Sequence, residues 1–507
     1  MKAIRVRNLR SFGDYTSDIE PKYVNLKALN IFVGKNSCGK STLLRSLPVL
    51  KQSASSKVTA PILWFGDFSD FGSFSTALHR NSDTDKIYFD YKFEVSLEKG
   101  PFYQRHFQTK QKKDKLDLEF KQGLCEVDGQ TIVKSITINI EKSKIKIITL
   151  EEDKYDIYLN NKKILDQIRL FSTKSNLTLD LMDPESFSGL NPFTSDSHIE
   201  KLLSKNAINL QKITTKRVSL DRVRDAVINL GLCSLSYFKE NSFDELLDLK
   251  GFNENWSKLT QSEIQELYEN QLITFLPELL SLSSKYLEKF ANSIKYIGPV
   301  RANGYRFTRH QEFNVQEIDP SGINIPAFLN RLSPQESEAL AIWTKDNFNF
   351  TVRTVSDGLH HEVMIKYLDE DEENITDMGS GFSQILPIVI SLWNETEKET
   401  DRFREKTEKI FAIEQPELHL HPEYQALFIK TLMKILKNTK NLRVILETHS
   451  KTIVDTISDN IEDGEFSSHD VSINIFEKSE KVTLIHEAEY DQDGSLINWP
   501  IGFLSGR

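Results

Sequence analysis

Residues Gly34, Lys35, Asn36, Ser37, Cys38, Gly39, Lys40 and Ser41 fit the pattern G-x-x-x-x-G-K-[ST] at every fixed position. Glycines at this spacing let backbone N–H groups turn inward around phosphate oxygens. A helix beginning at Ser41 would aim its N-terminus at the same anion. In such a loop the lysine neutralises β and γ phosphates and the hydroxyl reaches Mg²⁺, so the candidate ATP contacts run from Gly34 through Lys40 and Ser41 to Thr42. The apolar run 29–33 reads as a buried strand, which gives the strand, loop and helix that this chemistry needs. Cys38 lies inside the loop, where its side chain need not matter because the loop works through its backbone.

A second set of groups lies in the other half of the chain. Residues 409–413 form an apolar run that ends in Glu414-Gln415-Pro416-Glu417-Leu418-His419-Leu420-His421-Pro422. A carboxylate at the C-terminal end of a buried strand beside a phosphate loop is placed to hold Mg²⁺ through water, which makes Glu414 the expected metal contact alongside Ser41. Residues 442–446 read as another strand, followed by Glu447-Thr448-His449-Ser450. A histidine there could reach a γ phosphate, or simply sit in a surface loop. Between these lies Asp377-Met378-Gly379-Ser380-Gly381-Phe382-Ser383-Gln384, leading into the apolar helical stretch 385–393. Glycines and hydroxyls at a helix start form a second anion-binding device, or a plain glycine cap. His360-His361-Glu362 and His419-x-His421 lack a convincing set of further metal ligands.

The elements that must position these groups are set by a chain of 507 residues with 64 Lys+Arg, 74 Asp+Glu and a net charge of −10. Such a chain is expected to be a soluble, cytoplasmic protein of two or three domains. A mean hydropathy of −0.41 and the lack of a long apolar run exclude a membrane span, and the charged stretch after Met1 does not read as a secretory signal. Three scattered cysteines exclude a disulfide framework. An acidic pI of about 5.7 argues against a general nucleic-acid coat.

About 370 residues separate Lys40 from Glu414, so a large insertion is expected. The proposed division is an N-terminal lobe 1–100, an insertion 101–290 and a C-terminal lobe 291–507. Ile136, Ile138, Ile140, Ile145 and Ile147 alternate with polar residues as in a β-hairpin. Apolar residues recur at helical spacing over 262–290, with Pro277 a kink or break, and no sustained heptads announce a long coiled-coil arm. Lys110, Lys112, Lys113 and Lys115 lie near Phe102, Tyr103, Arg105 and His106, a pattern that fits a solvated hairpin tip or a nucleic-acid contact. The stretch 173–197 reads as a linker.

Taken in order, the motifs resemble the ABC-type ATPases of the SMC, RecF and OLD group. The run from Glu414 to Pro422, Asp70-Phe71-Gly72-Ser73-Phe74, Tyr296-Ile297-Gly298-Pro299-Val300-Arg301 and Asn498-Trp499-Pro500-x-Gly502-Phe503 are similar to a bacterial branch of AAA-family ATPases. Members of that branch serve anti-phage systems as the PtuA type of Septu and Septu-bearing retrons, or the AriA type of PARIS. The resemblance implies an α/β fold, an ABC-type P-loop ATPase head with a mixed β-sheet, interrupted by a β-hairpin and helical insertion.

By the same resemblance, Lys40 and Ser41 contact the nucleotide and Mg²⁺, and Ser380 and Gly381 make signature contacts in trans. Glu414 is the Walker B acid, 419–421 the D-loop region and His449 the switch. Gln415 stands where many relatives carry the glutamate that polarises the attacking water, and glutamine cannot accept that proton. Glu417 is the remaining candidate base, and the expected enzyme is a slow ATPase that closes as a clamp or sensor. Segment 70–74 lies where the group places its Q-loop, with Gln52 the only nearby glutamine.

Implied partners are a homodimer or higher oligomer of dimers, a separate HNH-type nuclease and, in a retron, a reverse transcriptase with its RNA–DNA product. The alternative is a RecF-like repair clamp that touches DNA directly. OLD and Gabija ATPases carry a nuclease domain after the ATPase; the 58 residues beyond His449 read as closing strands at 470–476 and 482–489, too short for a domain of about 100 residues. No nuclease activity of its own is therefore expected. Arg301 is open between a phosphate contact and an ion pair within the fold.

Overall fold

The computed structural model describes residues 1–15, 20–55, 60–97, 114–151, 154–169, 171–173, 177–182, 198–214, 218–240, 252–299, 301, 308–309, 317–357, 360–368, 370–397, 408–479 and 482–500. The chain packs as two units. One comprises Met1–Asn8, Ser53–Leu63 and Ser82–Lys289, the other Leu9–Gln52, Trp64–Asn81 and Phe290–Arg507.

In the first unit an antiparallel sheet runs Ala3–Arg7, Ile87–Leu97, Asp114–Val127, Gln130–Ile140, Ser143–Glu151, Lys154–Leu159, Lys162–Arg169. The period-2 pattern explains its two faces. Ile136 and Ile138 pair with Ile147 and Ile145, and these four are fully buried with Ile140, while Lys144 points to solvent. The first strand is anchored by charge: Asp90 accepts from Arg5 Nε at 2.8 Å and Arg7 Nε at 2.7 Å, all three side chains buried. The helical stretch breaks once, into Gln261–Thr274 and Leu276–Asn292, with Phe275 as the cap between them. Pro277 lacks the N–H that a continuous helix would use, so the break falls there. Thr260 and Glu263 form a capping box at the preceding start. Of the basic cluster only Lys115 is among the described residues, exposed and paired with Glu94. The remainder of that cluster, and most of 173–197, lie outside them.

The second unit is built on a mixed sheet. Its principal elements are β1 (Leu29–Gly34), α1 (Lys40–Ser55), β2 (Ile294–Ile297), α2 (Pro334–Phe348), β3 (Phe350–Asp357), β4 (His360–Tyr367), α3 (Ser380–Glu397), β5 (Lys409–Glu414), α4 (Pro422–Asn438), β6 (Leu442–Glu447), α5 (Lys451–Glu462), β7 (Val471–Ser479), β8 (Val482–Tyr490) and β9 (Leu496–Ile497). The strand order is β2-β5-β6-β1-β7-β8-β9, with the first five parallel and β8 and β9 added antiparallel. Strands covered on both faces read as continuous apolar runs, and β1, β5 and β6 do so. Ile388 and Leu392 of α3, Phe428 and Leu432 of α4, and Ile453 and Ile457 of α5 join those strands in one core. A separate hairpin, β3 with β4, pairs Phe350 with Tyr367 at its open end. No helix among the described residues is long and apolar enough to cross a membrane.

Candidate functional site

The loop from β1 to α1 is held in a shape that requires its glycines. Gly39 has φ +98°, and a Cβ there would lie 2.7 Å from both Ser11 Oγ and Thr483 Oγ1. A Cβ on Gly34 would meet the Phe476 carbonyl of β7 at 2.4 Å. Thr483 of β8 donates to the Cys38 carbonyl at 2.8 Å and pins the loop from outside. Cys38 therefore enters through its backbone. Lys40 is buried, and its Nζ donates to the Gly34 and Lys35 carbonyls at 3.0 and 2.9 Å. Burial holds this amine below the ordinary lysine range against the pull of Glu447, whose Oε1 is 4.0 Å away.

Two strand ends bring carboxylates to the loop. Glu414 closes β5 and Glu447 closes β6, and the parallel register sets them side by side. Ser41 Oγ donates to Glu447 Oε1 at 2.8 Å. Glu414 is engaged otherwise: Arg45, one turn beyond Ser41 on α1, donates Nε and Nη2 to its two oxygens at 2.7 and 2.8 Å. Tyr296 OH donates to the same carboxylate at 2.9 Å, and Arg301 Nη2 to the Glu414 carbonyl at 2.7 Å. A guanidinium fork on a buried carboxylate is among the stronger pairings available. Glu447 lacks that support. Burial and the neighbouring Glu414 push its carboxyl up to about 7.

The turn after β5 carries the other expected groups. Gln415 takes the left-handed conformation, φ +43°, and donates its N–H to the Glu447 carbonyl at 2.8 Å. Glu417 Oε1 accepts the His449 N–H at 2.7 Å, and burial raises the Glu417 pKa. The surrounding protein atoms and the Lys40 ammonium keep the His449 imidazole below its usual range. Lys40, Ser41, Glu414, Gln415, Glu417 and His449 thus meet at the carboxyl ends of β5, β6 and β1, the crevice where open α/β sheets bind ligands.

The glycine-led helix joins from another side. Gly379 has φ +81° with open space beside it, and Ser380 opens α3. Gly381 lies against the turn after β5, where a Cβ would sit 3.4 Å from the His419 carbonyl. Phe382 meets the edges of Tyr367 and Tyr424, ring centroids 6.0 and 5.9 Å away.

Other candidates serve the fold. His421 caps α4 by accepting the Glu423 N–H, and Glu362 accepts from Asn374. Gln52 braces Ser69 in both directions, at 3.0 and 3.1 Å. Among the described residues no group of three or more His, Cys, Asp or Glu side chains is arranged to hold a metal ion. Two contributors escaped the sequence reading. Glu447 carried the same signal as Glu414, an acid ending an apolar run. Arg45 carried none, because its meaning depends on a partner 369 positions away.

Residues 1–454 match the AAA ATPase domain family. The chain belongs to that family. This AAA ATPase is also 24% identical over 490 residues to Endonuclease GajA of Bacillus cereus strain HuB5-5, a match across 90% of this chain and 58% of that protein. It therefore spans little more than half the length of that relative. Solved structures to which it is similar include an Smc head domain with an extended coiled coil bound to the C-terminal domain of ScpA, from Pyrococcus furiosus (10% identity, 96% of each chain, TM-score 0.37). Others are the SMC head domain from Thermotoga maritima (10% identity, 96% and 97% of the chains, TM-score 0.34) and RecF of the RecFOR pathway (12% identity, 96% and 97%, TM-score 0.25). The fold of this AAA ATPase is the expected ABC-type P-loop head with a mixed sheet, carried by the strand order and the loop between β1 and α1.

Proposed function

We propose that this AAA ATPase binds ATP with Mg²⁺ at the loop 34–42 and closes as a homodimer, the Gly379-Ser380-Gly381 helix start of each protomer covering the nucleotide of the other. Slow hydrolysis then times the release of a separate HNH-type nuclease in an anti-phage complex of the Septu kind; in a retron a reverse transcriptase and its RNA–DNA product would join it. The observation that carries the reading is the convergence of Lys40, Ser41, Glu414, Glu447 and His449 on one end of the sheet.

The donor set fits a nucleotide with its metal. Glycines 34 and 39 leave no room for side chains, the start of α1 adds backbone donors, and Glu447 Oε2 is buried without a hydrogen-bond partner among the described residues. Ser41 and the two strand-end glutamates would hold Mg²⁺. When bound, that ion supplies charge neutralisation on the phosphate oxygens. Lys40 would exchange the Gly34 and Lys35 carbonyls for phosphate. Gln415 can orient a water but cannot take its proton, and Glu417, with one oxygen on the His449 N–H, is the base that remains. Turnover is accordingly slow.

Light scattering with and without ATP, alongside a phosphate-release assay, tests the reading. A dimer on ATP with turnover below about one per second is expected, and tens per second would sink the slow-clamp mechanism. Stoichiometric co-purification of a small nuclease, with no cleavage of DNA by this chain alone, is the expected partner result. Salt-sensitive DNA binding by the isolated chain would instead favour the RecF-like clamp.

A further inference from the structure

We propose that Arg301 is a positioning residue that ties the nucleotide end of the sheet to helix α3, passing a rearrangement at His449 and Glu417 to the first turns of α3. The functional meaning of that link rests on reading the start of α3 as the contact made in trans.

Arg301 is 3% exposed and touches both elements at once. Its Nη2 donates to the carbonyl of Glu414, the last residue of β5, at 2.7 Å. Its own carbonyl accepts from Gln384 Nε2, in the second turn of α3, at 3.3 Å. The guanidinium thus reaches the chain's own backbone through Nη2, a partner that is neither of the two the sequence offered.

Its remaining hydrogen-bonding capacity is what makes the link movable. Arg301 Nε and Nη1, Gln384 Oε1 and Glu417 Oε2 are buried, and none has a hydrogen-bond partner among the described residues. A buried polar group without a partner is unfavourable, so an arrangement that pairs these groups is favoured once it becomes reachable. After burial itself, the Glu417 carboxylate is the charge that acts most strongly on Arg301. Its other oxygen is occupied by the His449 N–H at 2.7 Å. The order is therefore His449, Glu417, Arg301, Gln384, with a hydrogen bond at each end and neither hydrogen bond nor ion pair between Glu417 and Arg301, whose unpaired atoms are the ones still to be satisfied. A nucleotide that draws the 447–450 segment toward Lys40 loosens the hold of His449 on Glu417, and Glu417 can then turn to Arg301. Lysine keeps the charge of arginine but cannot serve two directions with one planar fork.

The test uses the full chain and four variants, Arg301→Lys, Arg301→Met, Gln384→Ala and Glu417→Gln, with three readouts. These are affinity for a fluorescent ATP analogue, amide hydrogen exchange over 380–397 with and without ATP, and ATP-dependent self-association. In the parent chain ATP is expected to change exchange in the first turns of α3. Both Arg301 variants should bind the analogue within about threefold of the parent, lose that exchange response and self-associate at least about tenfold more weakly. Gln384→Ala should shift both in the same direction, and Arg301→Met with Glu417→Gln should be non-additive.

A tenfold loss of analogue affinity in Arg301→Met would mark Arg301 as a nucleotide ligand and overturn the proposal, as would an exchange response left intact. Should Arg301→Met fail to fold, Arg301→Lys and Gln384→Ala carry the test. If the parent shows the exchange response without dimerising, and the variants lose it, the link stands and the trans contact falls. If parent and variants dimerise alike, the link falls.

Discussion

Glu447 shares its strand-end position with Glu414, yet where Glu414 takes a guanidinium fork, Glu447 accepts from the Ser41 hydroxyl and has the Lys40 ammonium no nearer than 4.0 Å. Its carboxyl rises from an ordinary 4.5 to about 7 through burial and the adjacent Glu414 charge. Between those values the folded chain keeps a proton that the unfolded chain has released. The stability linked to this group is therefore greatest below pH 4.5 and is lost as pH rises through 7, by up to about 3 kcal/mol. Glu447→Gln removes the dependence, so the melting temperature of that variant relative to the parent should climb by a few degrees between pH 5 and pH 8 without nucleotide; a constant difference would contradict the shift. Gln415→Glu restores a proton acceptor on the left-handed turn residue, and phosphate release should rise at least about tenfold. Of these residues the sequence announced those in fixed patterns. Glu447 was visible but overshadowed, and Arg45 was silent because helix α1 gives no hint of which strand end it faces.

At the scale of elements, β1, its loop and α1 behave as one piece because β7 and β8 close on them. Gly34→Ala would drive a methyl into the Phe476 carbonyl at 2.4 Å, and backbone on a neighbouring parallel strand cannot retreat without breaking the ladder. A loss of several kcal/mol is expected, about 2–4, together with lost ATP binding, both measurable by thermal unfolding and a nucleotide titration. Much here was legible beforehand. The isoleucine alternation announced a hairpin that the strands Gln130–Ile140 and Ser143–Glu151 supply, and the helical spacing announced a helical stretch with a kink or break at Pro277, which the structure makes a break into two helices at Phe275. Strand order was not legible. Nothing in the run 442–446 says that β6 inserts between β5 and β1, yet that insertion is what sets Glu447 beside Glu414 and within reach of Ser41. Nor could pattern show that Ala3–Arg7 pairs with Ile87–Leu97 around the shared Asp90, since that pairing joins residues some 85 positions apart.

For the whole molecule, ATP with Mg²⁺ should double the solution mass, and Lys40→Ala should abolish the change while leaving the fold intact; a Lys40→Ala protein that still dimerises on ATP would place the switch elsewhere. The site balances Glu414, Glu417 and Glu447 with Lys40, Arg45 and Arg301, and this balance constrains how the sequence can drift. Arg45→Met alone strands the buried Glu414 next to a second carboxylate and should be badly tolerated. The same substitution made after Glu447→Gln meets one negative charge fewer. Order of mutation therefore matters at positions 45 and 447, which lie 402 residues apart in the chain: one route between the same two endpoints is passable, and the other runs through a protein that cannot hold its own site.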